Sequence, residues 1–177
     1  MIPQNKRVFL GFSLTEQQTQ IVSLVQRQLP NNVRLVPKNN LHMTLAFLGE
    51  IGPDQLSQLN EQVTLIKKRT IEVTLDQLVY WEKPKIICLK GIANDASLLQ
   101  LTKDTKFIAK NLNLHRSEYT YTPHITLCRK AKSEMEALIH HISHQPLTLS
   151  PKQLHLFESF LGKNGVEYPI LESWTLG

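Results

Sequence analysis

Two short stretches of the chain hold side chains that could move protons on and off a bound ligand. Leu41 to Phe47 reads Leu-His-Met-Thr-Leu-Ala-Phe, and Tyr121 to Arg129 reads Tyr-Thr-Pro-His-Ile-Thr-Leu-Cys-Arg. Superposing His42 on His124 also superposes Thr44 on Thr126 and Leu45 on Leu127. In an extended strand alternate side chains share a face, so each histidine points with its threonine. Met43 with Leu45, and Ile125 with Leu127, form the apolar face suited to a core. Each strand then offers one proton carrier and one hydroxyl, and the pair offers an acid and a base. A lone His-x-Thr is more commonly a solvated sheet histidine, and it is the repetition with matching flanks that argues for chemistry.

The elements around the motifs are legible from periodicity. Arg7 to Leu14 reads as a strand, and Thr15 with Gln18 forms a capping box opening a helix with Ile21, Val22, Val25 and Leu29 on its buried stripe. A short strand over Val33 to Val36 and a turn at Pro37-Lys38-Asn39-Asn40 lead into the first motif strand, which stops near Gly49. A second helix starts near Pro53 with Leu56, Leu59, Val63 and Ile66 on one face, and Lys67-Lys68-Arg69 complements its carboxyl-terminal dipole. Strands are expected from Ile71 toward Trp81 and from Lys85 to Gly91. A third helix is expected on Leu98, Leu101, Thr105, Ile108 and Leu112. Ser133 with Glu136 suggests a cap for a short fourth helix carrying Leu138, Ile139 and Ile142. Two final strands, Gln153 to Leu161 and Val166 to Leu171, would be joined by a hairpin turn at Gly162 to Gly165.

The motif histidines lie 82 residues apart in a chain of 177, close to half its length. This spacing predicts an α+β, bilobal fold: two pseudo-symmetric βα lobes with antiparallel sheets facing a central cleft, the whole of 1–177 forming one domain. Twenty Lys and Arg against fifteen Asp and Glu give a net charge of +5, which favours an anionic partner. Cys88 and Cys128 sit in apolar strand-like runs without metal-ligand spacing and read as buried free thiols. His140, His141 and His144 have helical spacing but no His-Glu-x-x-His pattern, and read as a solvated cluster; His115 and His155 read as surface or packing residues. No apolar run reaches membrane-spanning length and no signal-peptide region opens the chain, so a cytoplasmic protein is expected, and with no exposed heptad or unpaired amphipathic stretch a monomer is the default expectation.

With Asn40-Leu41-His42-Met43-Thr44-Leu45, Phe47-Leu48-Gly49-Glu50, Pro123-His124-Ile125-Thr126-Leu127, Arg129 and Phe157-Glu158-Ser159, the chain resembles the two-histidine phosphoesterases nearly end to end. The likeness is greatest to the bacterial and archaeal RNA 2′,3′-cyclic phosphodiesterases, historically called 2′-5′ RNA ligases. The resemblance implies that His42 and His124 are catalytic, that Thr44, Thr126 and Arg129 bind phosphate, and that Phe47 stacks on a base. By the same analogy His124 is the base and His42 the acid on the 3′ oxygen, leaving a 2′-phosphate, and the resemblance also implies reversible 2′-5′ RNA ligation. It implies a partner that is RNA ending in a 2′,3′-cyclic phosphate, or a nucleotide cyclic phosphate. No metal or other cofactor is called for, since no cluster of carboxylates accompanies the motifs. Leu35 and Tyr119 depart from the family, standing where many relatives carry an aromatic and an arginine. Two other readings use the same residues: an RNA-end-binding protein without catalysis, and a phosphodiesterase of small cyclic phosphates or 2′-5′ oligonucleotides.

Overall fold

The computed structural model describes residues 4–177. Fifteen strands and helices follow in the order β1 (Lys6–Ser13), α1 (Glu16–Gln26), β2 (Arg34–Leu35), β3 (His42–Ile51), α2 (Pro53–Leu65), β4 (Val73–Trp81), β5 (Ile86–Gly91), α3 (Ala96–Asn111), β6 (His124–Arg129), α4 (Met135–Leu138), β7 (Leu147–Leu149), β8 (Gln153–Glu158), β9 (Phe160–Gly162), β10 (Gly165–Glu167) and β11 (Ile170–Thr175). All but β9 and β10 of the strands join one curled antiparallel sheet in the order β11-β8-β1-β3-β6-β5-β4-β7, with β2 added beside β6. The expected two halves are the two arms of this sheet, and they meet where β3 and β6 pair through Met43 and Ile125.

The helices form for the reasons their sequences suggest. Thr15 and Gln18 close the capping box reciprocally, Gln18 N donating to Thr15 Oγ1 at 3.2 Å and Thr15 N to Gln18 Oε1 at 2.9 Å. Lys68 bonds the carbonyls of Val63, Thr64 and Ile66, satisfying the acceptors left open at the end of α2. Val22 and Val25 of α1, Leu59 and Val63 of α2, and Leu98, Leu101, Thr105 and Ile108 of α3 are all buried. α1 packs against β6 and α3 against β3, so each of these helices supports the motif strand of the opposite arm. Gln26 strengthens one of these crossings by donating to the carbonyls of Val36 and Leu127, both at 2.9 Å.

The motif strands sit over a dry layer: Met43, Leu45, Ile125 and Leu127 are buried in the common core, as alternation requires. Gly11 of β1 is the cross-strand partner of Thr44, and a Cβ there would come within 2.7 Å of the Met43 carbonyl oxygen. Only glycine lets β1 approach the motif strand this closely.

Three expectations need correction. Ser133 does not cap α4: the cap position is Glu134, no side chain bonds there, and Met135 takes the buried place with Leu138 left partly exposed. The carboxyl-terminal strands are not one simple hairpin. β8 pairs with β11, which runs on to Thr175, while β9 and β10 form a separate two-stranded ribbon across Gly162 to Gly165. The ladder breaks because Ser159 N turns back to the Arg7 carbonyl, and Pro169, which has no donor, interrupts the returning strand. The strand expected over Val33 to Val36 is reduced to Arg34 and Leu35. Cys88 and Cys128 are buried and unbonded, as expected.

Candidate active site

The pairing of Met43 with Ile125 places His42 opposite Thr126 and Thr44 opposite His124, because antiparallel partners step in opposite directions from that pair. All four polar side chains share the face away from the core. The two histidines are then diagonal neighbours, with backbones about 7–8 Å apart in such a pairing. The arrangement is a local dyad, and the sequence repeat becomes a spatial one.

Each ring is oriented by the residue two positions before it. His42 Nδ1 donates to the Asn40 carbonyl at 2.6 Å, and His124 Nδ1 donates to the Thr122 carbonyl at 2.8 Å. A carbonyl only accepts, so both bonds fix the Nδ1–H tautomer and leave Nε2 free to take or, once protonated, give a proton. His42 Nε2 receives the Thr44 hydroxyl at 3.1 Å. Aromatic side chains wall the rings. Phe9 and Tyr168 lie 4.8 and 5.0 Å from the His42 ring centre, and Trp81 meets His124 edge-on at 4.7 Å.

These walls control the charge state. Burial pushes the His42 pKa down to about 4, opposed by the bond to Asn40 and helped by the repulsion of a protonated His124 and of the Arg129 guanidinium. Burial also lowers His124, with Arg129 adding to the effect and the bond to Thr122 opposing it. Both rings are therefore neutral near pH 7 in the free protein, and an anion beside them would draw a proton in.

Two cavities open on either side of the dyad, and each takes one histidine and one threonine. The larger, about 830 Å³, holds Thr44 and His124 with Phe47, Trp81, Tyr119 and Tyr121. The smaller, about 320 Å³, holds His42 and Thr126 with Arg7, Arg34, Arg129 and Tyr168. Arg34 and Arg129 are direct cross-strand partners, and like charges so placed repel. Among the described residues the sole ion pair is Lys6 with Glu158 at 2.7 Å, so no carboxylate relieves these arginines. Such a concentration of guanidinium groups beside two imidazoles suits a phosphate.

All six residues singled out from the sequence line the two cavities. Phe47 is only partly buried, with the Arg7 guanidinium 4.6 Å above its ring and His115 at its edge, 5.3 Å away. Arg7, Arg34, Trp81, His115 and Tyr168 are the residues that sequence reasoning missed. The repeat held no signal for them, because they arrive from β1, β2, β4, the loop after α3 and the loop before β11. Tyr121 lay inside the quoted motif without a role, and its buried hydroxyl donates to the Thr44 carbonyl at 3.1 Å, tying the two arms together.

Comparison with known proteins bears on the family and the fold. A profile of the family described as LigT like Phosphoesterase matches residues 13–88. A protein from Escherichia coli (strain K12) named RNA 2′,3′-cyclic phosphodiesterase is 27% identical over 173 residues, covering 97% of each chain. One of the same name from Methanothermobacter thermautotrophicus is 30% identical over 132 residues, covering 70% of each chain. The fold matches the crystal structure of Escherichia coli LigT complexed with 3′-AMP at a TM-score of 0.84 and 24% identity, over 98% of this chain and 99% of that one. By sequence relatives, family profile and fold together, the chain belongs to the LigT-like phosphoesterase family.

Proposed function

We propose that the protein hydrolyses the terminal 2′,3′-cyclic phosphate of RNA to a 2′-phosphate, with His42 and His124 as acid and base. The observation that carries this reading is the dyad of β3 and β6, which sets two histidines, each with its Nδ1 held by a backbone carbonyl, on diagonal positions of one sheet face, one lining an aromatic cavity and the other an arginine-lined one. Opening the ring in line needs water deprotonated on one side of phosphorus and the departing ribose oxygen protonated on the other. Two rings on diagonal positions, each with a fixed tautomer, supply both transfers. His124 takes the proton from water and His42 gives one to the 3′ oxygen.

The proton on the acid enters with the substrate. The phosphate's negative charge offsets the burial that keeps both rings neutral in the free protein, and raises the affinity of the nearer ring for a proton. Thr44, Thr126 and Arg129 donate to the non-bridging oxygens as charge builds on the phosphorane-like transition state. Phe47 gives the nucleobase a flat partner in the larger cavity. With the 5′-hydroxyl of a second RNA in place of water as nucleophile, the same two proton transfers would open the cyclic phosphate into a 2′-5′ linkage, with the 3′ oxygen again leaving as the hydroxyl. Named relatives act as RNA 2′,3′-cyclic phosphodiesterases, which supports RNA as the substrate class. No helix among the described residues is long and apolar enough to cross a membrane; we read the protein as a cytoplasmic monomer in which 1–177 work as one bilobal unit.

The test is product identification by phosphorus NMR from a short RNA ending in a 2′,3′-cyclic phosphate, with a chelator present. A 2′-phosphate product is expected. A 3′-phosphate would reverse the leaving oxygen, and an RNA that is bound but not opened would replace catalysis by end recognition.

A further inference from the structure

The larger cavity does not end at its aromatic wall. A second depression adjoins it, sharing Lys106, Arg116 and Ser117 and continuing to Phe107, Lys110 and Glu118. Lys103, Lys106, Phe107 and Lys110 are spaced at i, i+3, i+4 and i+7 on α3, so they form one face of the helix. Phe107 is 64% exposed and Tyr119 77% exposed, which leaves both rings free to receive a flat partner. The two depressions together carry Lys83, Lys106, Lys110 and Arg116 against the single carboxylate of Glu118. None of these cations is ion-paired among the described residues. Asp104, also on α3, turns aside to Gln100 at 2.9 Å and lines a different hollow.

We propose that this face of α3 and the 116–119 loop form a track for the single-stranded RNA 5′ of the reactive terminal nucleotide. This rests on the phosphodiesterase reading and deepens it, since it makes the preferred substrate an oligonucleotide rather than a mononucleotide. Cations spaced along a shallow groove with interleaved exposed aromatic rings are what an unpaired strand requires: phosphates meet the ammonium and guanidinium groups, and bases stack on the rings. Continuity with the cavity of Thr44 and His124 gives the strand its direction. The terminal nucleotide occupies the larger cavity, the next passes Tyr119 and Arg116, and those further upstream run along Lys106, Phe107 and Lys110.

The experiment compares a mononucleotide 2′,3′-cyclic phosphate with an RNA hexamer ending in the same group, for the wild type, Phe107→Ala and Lys110→Glu. In the wild type the hexamer is expected to have a KM lower by roughly 5-fold or more, as one stacked base requires. Both variants should lose much of this advantage while turning over the mononucleotide as before, which also reports that they fold. The dependence of log affinity on log salt should become shallower by about 0.7 for each cation neutralised on a single-stranded partner. Equal KM values for the two substrates in the wild type, or variants that keep the full advantage, would overturn the track. Fluorescence anisotropy with a labelled hexamer ending in a 3′-hydroxyl separates this from the activity itself. If no cyclic phosphate is opened but the wild type binds the hexamer and the variants bind it less, the activity reading fails and the track stands; if wild type and variants bind it equally, the track fails.

Discussion

Burial holds the His42 ring neutral, and this has a thermodynamic consequence independent of any substrate. Its pKa falls from 6.5 to about 4 on folding, equivalent to roughly 3 kcal/mol. Between those values the unfolded chain binds a proton at this ring that the folded protein does not, so stability rises with pH across the window and falls on acidification. Above pH 6.5 both states are neutral and the effect vanishes. Taking the pH from 7 to 5 costs the native state about 2 kcal/mol through this ring, with the full loss developed only below pH 4. The variant His42→Gln has no proton to bind at this position, although it also loses packing against Phe9 and Tyr168. That packing loss shifts its stability similarly at both pH values and cancels in the difference. Urea unfolding of both proteins at pH 7 and pH 5 is expected to show the wild type losing about 2 kcal/mol more than the variant. Identical losses would refute the burial of His42 as the cause of its neutrality, and with it the argument that the catalytic proton enters with substrate.

The same charge states shape the kinetics. Because kcat/KM reports the free protein and both rings titrate below 6.5, its bell-shaped profile should centre below pH 6.5, while the kcat profile shifts upward once a bound phosphate favours the protonated ring; a kcat/KM optimum above pH 7 would contradict this. Arg34→Ala removes a like-charge neighbour of Arg129, so it should raise the thermal midpoint slightly, by the equivalent of about 0.2–1 kcal/mol, yet reduce the stabilisation given by added phosphate in a thermal-shift titration. Phe47→Ala should weaken substrate binding by about 1–3 kcal/mol, read as a higher KM, with a smaller change in kcat.

The site was legible where the sequence repeats itself. His42 and His124, with Thr44 and Thr126, could be read because a period of two fixes which side chains share a face, and because β3 and β6 each carry the whole pattern locally. The buried stripes of α1, α2 and α3 were legible for the same reason, with a period of 3.6. What could not be read was which strands become neighbours. Arg34 matters because β2 lies against β6, a choice made by the packing of α1 and the bonds from Gln26 rather than by any feature of Arg34. Tyr168 reaches His42 only because the ribbon of β9 and β10 folds back, held by Asn40 Nδ2 donating to the Val166 carbonyl at 2.7 Å. The same Asn40 orients His42 through its own carbonyl, so one residue links the ribbon to the ring. The expected simple hairpin failed for a local reason, the donor-less Pro169, which the sequence did display.

The central claim is that two imidazoles on one dyad act as a single acid–base unit. The most direct measurement is single-turnover cleavage of an RNA ending in a 2′,3′-cyclic phosphate by His42→Ala, His124→Ala and the double variant. Each single change should slow cleavage by roughly 10²–10⁴ with the fold retained, and the double variant should be little worse than either alone, since removing one partner disables the unit. Cleavage at near the wild-type rate by either single variant, or losses that multiply in the double variant, would contradict it.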